Sequence, residues 1–161
     1  EGTLENAQFP EESFDVITMH HVIEHLPDPL SALRECWRVL KPGGKIVVIT
    51  PNIKSIAHRV FGKAWSYLDP PRHLSLFSLG TLASCAERVG FHVADIHTSQ
   101  RHAHSVWIDS RSIRRDGVHP RGMSQRRMPQ LEGLAFLGIE WFLKIAMKDA
   151  GEELVLIASK R

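Results

Sequence analysis

The alternation of apolar and polar positions divides the chain into segments of recognisable period. Residues 14–19 form a short apolar run rich in β-branched side chains, and residues 45–50 form a second. Runs of this kind suit strands buried on both faces of a parallel sheet. Between them, Asp28 can cap a helix whose first position is Pro29, and Leu30, Leu33, Trp37 and Leu40 follow at helical spacing. Lys41-Pro42-Gly43-Gly44 should end that helix and return the chain into the second strand, because glycine reaches backbone angles closed to other residues. Together the three elements predict a βαβ unit with a right-handed crossover. Ligands of such sheets bind beyond the carboxyl ends of the strands, which singles out residues 19–25 and 50–52.

Further along, Ile53, Ile56, Ala57, Val60 and Phe61 mark one face of a helix whose other face carries Lys54, His58, Arg59 and Lys63. That helix is either a surface element with a solvated basic side or a lid over a substrate. Two prolines fix a loop at Asp69-Pro70-Pro71-Arg72-His73. Ser78 can cap a helix running through Val89, with Leu82, Cys85, Ala86 and Val89 inward and Gly90 as terminator. Residues 91–98 alternate as a strand, and residues 153–159 should form the last one. Residues 131–147 are strongly apolar but interrupted by Glu132, Glu140 and Lys144. Their length is near the minimum for a membrane span, and the internal charge favours a packed helix over a spanning or interfacial one.

With 161 residues, 43% hydrophobic and 24% charged, the chain fits one globular domain. A net charge of +2 is too near neutral to argue for nucleic acid by itself. Local charge is more telling: residues 101–127 hold seven arginines against only Asp109 and Asp116, with His102, His104 and His119 among them. That stretch is either a contact for phosphate groups on a lipid, nucleotide or RNA, or a solvated, partly disordered insertion. Cys36 and Cys85 fall at apolar positions of predicted helices and read as small buried thiols. Two cysteines without metal-type spacing fit a reducing, cytoplasmic setting. The start has neither a signal pattern nor a Met, so the chain reads as cut from something longer.

The string His21-Val22-Ile23-Glu24-His25-Leu26-Pro27-Asp28-Pro29, followed by Leu40-Lys41-Pro42-Gly43-Gly44, resembles the second half of a class I S-adenosylmethionine-dependent methyltransferase. Asp69-Pro70-Pro71-Arg72-His73-Leu74, with Phe77 behind it, is similar to the same small-molecule and lipid branch. The resemblance implies an α/β fold with a Rossmann-like methyltransferase sheet that lacks its N-terminal strands and has an antiparallel last strand. Residues 1–161 would be the C-terminal part of that domain, with residues 100–150 a basic and helical insertion before the last strand. It also implies S-adenosylmethionine as cofactor, bordered by Thr3, Leu4, Met19, His20 and His21.

The acceptor implied is an oxygen or nitrogen of a small molecule, lipid or glycan precursor, with His21, Glu24, His25 and His73 as catalytic candidates. An imidazole titrates near neutral pH and suits removal of an acceptor proton. Glu24 and His25 equally suit a structural role, fixing a tight loop. Some relatives bind Mg2+ through a Glu-x-x-Glu-His loop; here His21 stands at the first Glu, a change that shifts preference toward transition metals, and His73 could complete the set. No metal is assigned. The family's glycine-rich turn does not occur in these residues, which motivates two expectations: self-association across an exposed sheet edge, and, as an alternative, a non-catalytic fold serving as a binding or assembly subunit. An RNA-modifying enzyme is a third reading, although nucleic acid is not the expected partner; peripheral membrane contact is compatible with the basic stretch. Met19-His20-His21 lacks the Asn/Asp-Pro-Pro-aromatic sequence of enzymes that methylate the amino groups of DNA bases or glutamine.

Overall fold

Strand β1, Phe14–His20, lies parallel to strand β2, Leu40–Pro51, and helix α1, Pro29–Val39, connects them. A computed structural model describes residues 4–117 and 149–161. Asp28 caps α1 by accepting from the Ser31 amide at 3.0 Å, with Pro29 at the first position. The buried stripe of α1 is Ala32, Leu33, Cys36 and Val39, while Leu30 and Trp37 flank it half-buried. Leu40 to Gly44 differ from expectation, because they extend β2 instead of forming a separate turn before Lys45. The bend is absorbed within the strand: Gly43 adopts φ +79°, and the pairing slips between Phe14↔Leu40 and Val16↔Lys45. At Gly44 a Cβ would approach the Lys41 carbonyl oxygen to 2.8 Å and the Asp15 carbonyl oxygen to 3.2 Å, so only glycine lets the two backbones pass.

Helix α2, Ile56–Phe61, is short and capped by Ser55. It buries Ile56, Ala57 and Phe61, but Val60 is 42% exposed, off the inward face that the spacing suggests. Helix α3, Leu79–Val89, starts in a capping box of Ser78 and Thr81 and ends at Gly90, φ +108°. Strand β3, Phe91–Ser99, leads into helix α4, Ala103–Asp116, and strand β4, Glu153–Lys160, closes the described chain. The sheet order is β1-β2-β4-β3, and β4 runs antiparallel to both neighbours, as expected.

One core gathers Leu33, Cys36 and Leu40 with Ile46, Val48, Leu82, Leu154 and Leu156. Edge strand β1 is not buried on both faces as its apolar run suggests: Val16 is 56% exposed. The basic stretch, expected to lie in a basic and helical insertion over residues 100–150, is helical over Ala103–Asp116. Val106 packs with Ala57, Phe61 and Trp65 in a second cluster, and the Ser66 amide donates to Ser110 Oγ at 2.9 Å. Arg121, Arg126, Arg127, His119 and the apolar residues 131–147 lie outside the described residues. Among the described residues no helix is long and apolar enough to cross a membrane. Cys36 is buried, as expected, whereas Cys85 is only half-buried.

Since Leu33 is fully enclosed, Leu33→Ala should lower stability by about 3 kcal/mol in urea unfolding. Val16→Thr, on the exposed edge, should change it by less than about 0.5 kcal/mol.

Candidate functional site

The site begins where β1 ends. His21 takes a left-handed backbone conformation, φ +52°, uncommon for a residue with a side chain, and its amide donates to the Ile49 carbonyl at 2.9 Å. This turn places the imidazole between two carboxylates. Nδ1–H donates to Glu24 Oε1 at 3.1 Å, and Nε2–H donates to Glu153 Oε1 at 2.9 Å. Glu24 lies on a 3-10 turn, Ile23–His25, and is fully buried; its other oxygen accepts from Thr50 Oγ1 at 2.9 Å. Glu153, 2% exposed, opens β4, and the same Oε1 also accepts from His102 Nδ1 at 2.7 Å and the Tyr67 hydroxyl at 3.3 Å.

The charges follow from these bonds. The His21 imidazole is pushed up from 6.5 to about 9, first by its bond to Glu153 and next by that to Glu24, against the opposing effect of burial. Burial works to raise the Glu153 carboxyl, but the bonds from His21 and His102 outweigh it and hold the group at about 2. Glu24 is likewise lowered: burial opposes the shift, and the bonds from His21, the backbone and Thr50 overcome it. His21 is therefore an imidazolium, and both carboxylates are ionised. Burial, aided by Glu153, pushes the Tyr67 phenol upward, so it remains a donor.

A second group stands next to the first. The Glu24 carbonyl accepts from the amides of Leu74 at 2.8 Å and Ser75 at 3.1 Å, drawing the proline loop against the 3-10 turn. His25 and His73 thereby meet, with ring centroids 4.7 Å apart. His25 Nδ1 bonds the Arg72 carbonyl at 2.9 Å, and His73 Nδ1 bonds the Tyr67 carbonyl at 2.5 Å. A carbonyl can only accept, so both Nδ1 atoms carry a proton, and Nε2 is the atom of each ring left to exchange one. Arg72 pairs with Asp69, and the Pro70–Pro71 peptide is cis. His21, His25, Tyr67, Arg72 and His73 line a cavity of about 250 Å3, closed on another side by Ser105, Val106 and Asp109 of α4.

The four catalytic candidates thus come together. The cofactor candidates divide: His20 is exposed at the end of β1, Leu4 packs half-buried on the core, and the Met19 side chain is enclosed in that core, leaving its backbone to border a ligand. Thr3 lies outside the described residues. Glu153, Tyr67 and His102 are site residues that the sequence does not single out. Their signal was the acidic pair opening the last strand: an antiparallel strand starts at the sheet end where β1 and β2 finish, and Glu153 pairs with Pro51. Its neighbour Glu152, raised by burial, instead accepts from the Ala57 amide at 2.9 Å and Trp65 Nε1 at 3.4 Å. Two groupings among the described residues have the donors and spacing for a metal ion: His20, His21 and Glu153, and Glu24, His25 and His73.

The profile of a family described as "Methyltransferase domain" matches residues 2–96. A Mycolicibacterium smegmatis protein named as a probable S-adenosylmethionine-dependent methyltransferase is 35% identical over 94 residues, 58% of this chain and 35% of its own. A ubiquinone biosynthesis O-methyltransferase of Aliivibrio fischeri is 40% identical over 60 residues, 36% of this chain and 26% of its own. The chain thus spans about a third or less of these curated relatives. The structure of an S-adenosylmethionine-dependent methyltransferase from Archaeoglobus fulgidus superposes with a TM-score of 0.59 at 21% identity, covering 99% of this chain and 66% of that one. The likeness establishes a Rossmann-like methyltransferase fold with one antiparallel strand.

The raised His21 contributes stability in full below pH 6.5 and loses it as pH rises through about 9. The lowered Glu153 contributes above 4.5 and loses it as pH falls through about 2. Stability in urea should therefore peak between those windows and drop by about 2 kcal/mol on the alkaline side, allowing for the partial exposure of the ring. In His21→Gln the alkaline drop should disappear.

Proposed function

This chain belongs to the methyltransferase-domain family, and from that premise we propose that the protein transfers a methyl group from S-adenosylmethionine to an oxygen or nitrogen of a small molecule, lipid or glycan precursor. The observation that carries the proposal is the pair of imidazoles, His25 and His73, which line one cavity with their Nδ1 protons fixed on backbone carbonyls, leaving Nε2 as the atom of each ring that can exchange a proton.

The donor set at the end of β1 fits one wall of a cofactor site. Half-buried Leu4 offers an apolar surface, and the exposed His20 ring offers a flat polar one. When bound, the sulfonium supplies a methyl group already activated by its positive charge. The remaining tasks are to align the acceptor, exclude water and take up its proton. His73, half-buried on the proline loop, takes that proton at Nε2, with His25 packed on its ring. Glu24 and Glu153 outnumber the His21 imidazolium beside the cavity and Asp109 lines it, while Arg72 is balanced by Asp69. That balance suits a cationic methyl donor and disfavours a strongly anionic acceptor. Self-association, if it occurs, would use the edge of β1, where Val16 is exposed.

Replacing His73 by Ala should lower methyl transfer to hydroxyl and amine acceptors by roughly 10²-fold. Calorimetric affinity for S-adenosylhomocysteine should stay within about twofold, since the ring lies on the acceptor side. Loss of both together would assign His73 to holding the loop and remove it as the base.

A further inference from the structure

We propose that His20, His21, His102 and Glu153 form a binding site for one divalent transition-metal ion of the zinc class. The donors come from three separate places: the end of β1, the residue preceding α4 and the first residue of β4. No local sequence spacing announces them. Ligand atoms of His20, His21 and Glu153 lie within 4.8 Å of one another. His102 lies outside that grouping, but its Nδ1 meets the same carboxylate oxygen that His21 meets, Glu153 Oε1, at 2.7 Å against 2.9 Å for His21, so it would turn inward to complete the set.

The spacing suits a tetrahedral ion. Zinc with bonds of about 2.0–2.1 Å to nitrogen and oxygen holds its ligand atoms about 3.3 Å apart, so His21 and His102 would each draw back from Glu153 Oε1 by about half an ångström while the other donor separations close around the ion. Two imidazoles on one such ion have ring centroids about 5 Å apart. Here the His20–His21 separation is 4.7 Å and the His21–His102 separation 6.4 Å, on either side of that value. Three imidazoles and one carboxylate favour an ion of borderline softness over magnesium or calcium, which take oxygen ligands.

The surroundings match what a metal-bound histidine requires. While His21 presents Nε2 to the site, its Nδ1–H is held by Glu24, and Thr50 in turn holds Glu24. The Tyr67 hydroxyl donates to the same Glu153 oxygen at 3.3 Å. The ion would occupy the space of the Nε2 proton of His21 and the Nδ1 proton of His102. His20 is exposed and the His102 side chain is 41% exposed, which leaves a path for entry. His25 and His73 belong to a different group, because their Nδ1 atoms are tied to carbonyls around the acceptor cavity.

The test is zinc titration of the chelator-treated protein by calorimetry, with cobalt(II) as a spectroscopic probe in parallel. One ion per chain should bind, and cobalt should give the strong visible absorption of a tetrahedral site. His102→Ala and Glu153→Gln should each weaken zinc binding by about 100-fold or more. His73→Ala should leave it within about twofold. Because His102 is at the surface, its replacement keeps the fold, and circular dichroism verifies that. Absence of binding, binding indifferent to His102→Ala, or binding lost in His73→Ala would each overturn the assignment; the last would put the ion in the neighbouring group. None of these readouts involves turnover, so they stand apart from the methyl-transfer proposal.

Discussion

The bond pair from His21 to Glu24 and Glu153 is the interaction on which the site depends. Two buried carboxylates would be costly without a cation, and a buried imidazolium would be costly without carboxylates. Each is tolerable because the three occur together, with Thr50, Tyr67 and His102 supplying the remaining donors. The geometry also explains the left-handed backbone at His21. A residue continuing β1 in extended conformation could not turn its ring between the 3-10 turn and the start of β4. The strain is sustained by a turn that is over-determined by hydrogen bonds on every side.

Glu24 connects this clamp to the cavity lined by His25 and His73. Its carboxylate fixes His21, and its main-chain carbonyl fixes Leu74 and Ser75, so the proline loop is held to the same residue that anchors the charge cluster. His25 and His73 are brought together as a consequence. Of the Glu24-His25 pair, Glu24 is wholly engaged in holding His21, Thr50 and the proline loop, while His25 lines the cavity. At the same end of the sheet, just past β2, Asn52 donates to the carbonyls of Asp149 and Gly151 at 2.7 Å each, and Glu152 anchors Ala57 and Trp65. These bonds locate the start of β4 and therefore Glu153.

Much of this was legible in the residues. Apolar runs and caps located β1, α1, α3 and β3, because burial and capping are local signals. The expectations that failed were those in which context overrides local pattern. Val16 is apolar but lies on an edge strand, and Leu40 to Gly44 follow the pairing of β2 where a turn was expected. The charge of helix α4 left its bounds and packing unread within the helical insertion expected there, since its apolar contact is confined to residues such as Ala103 and Val106. In the site, His21, Glu24, His25 and His73 were visible because two compact motifs carry them. Glu153 and His102 were not, as their roles depend on contacts across 132 and 51 positions of chain.

The measurement that bears most directly on this account is the nitrogen-15 NMR spectrum of the His21 ring in metal-free protein at about pH 7.5, well above the ordinary histidine pKa. The clamp predicts that both ring nitrogens carry protons there, giving the signature of an imidazolium. A neutral ring at that pH, with one bare nitrogen and a titration near 6.5, would contradict it.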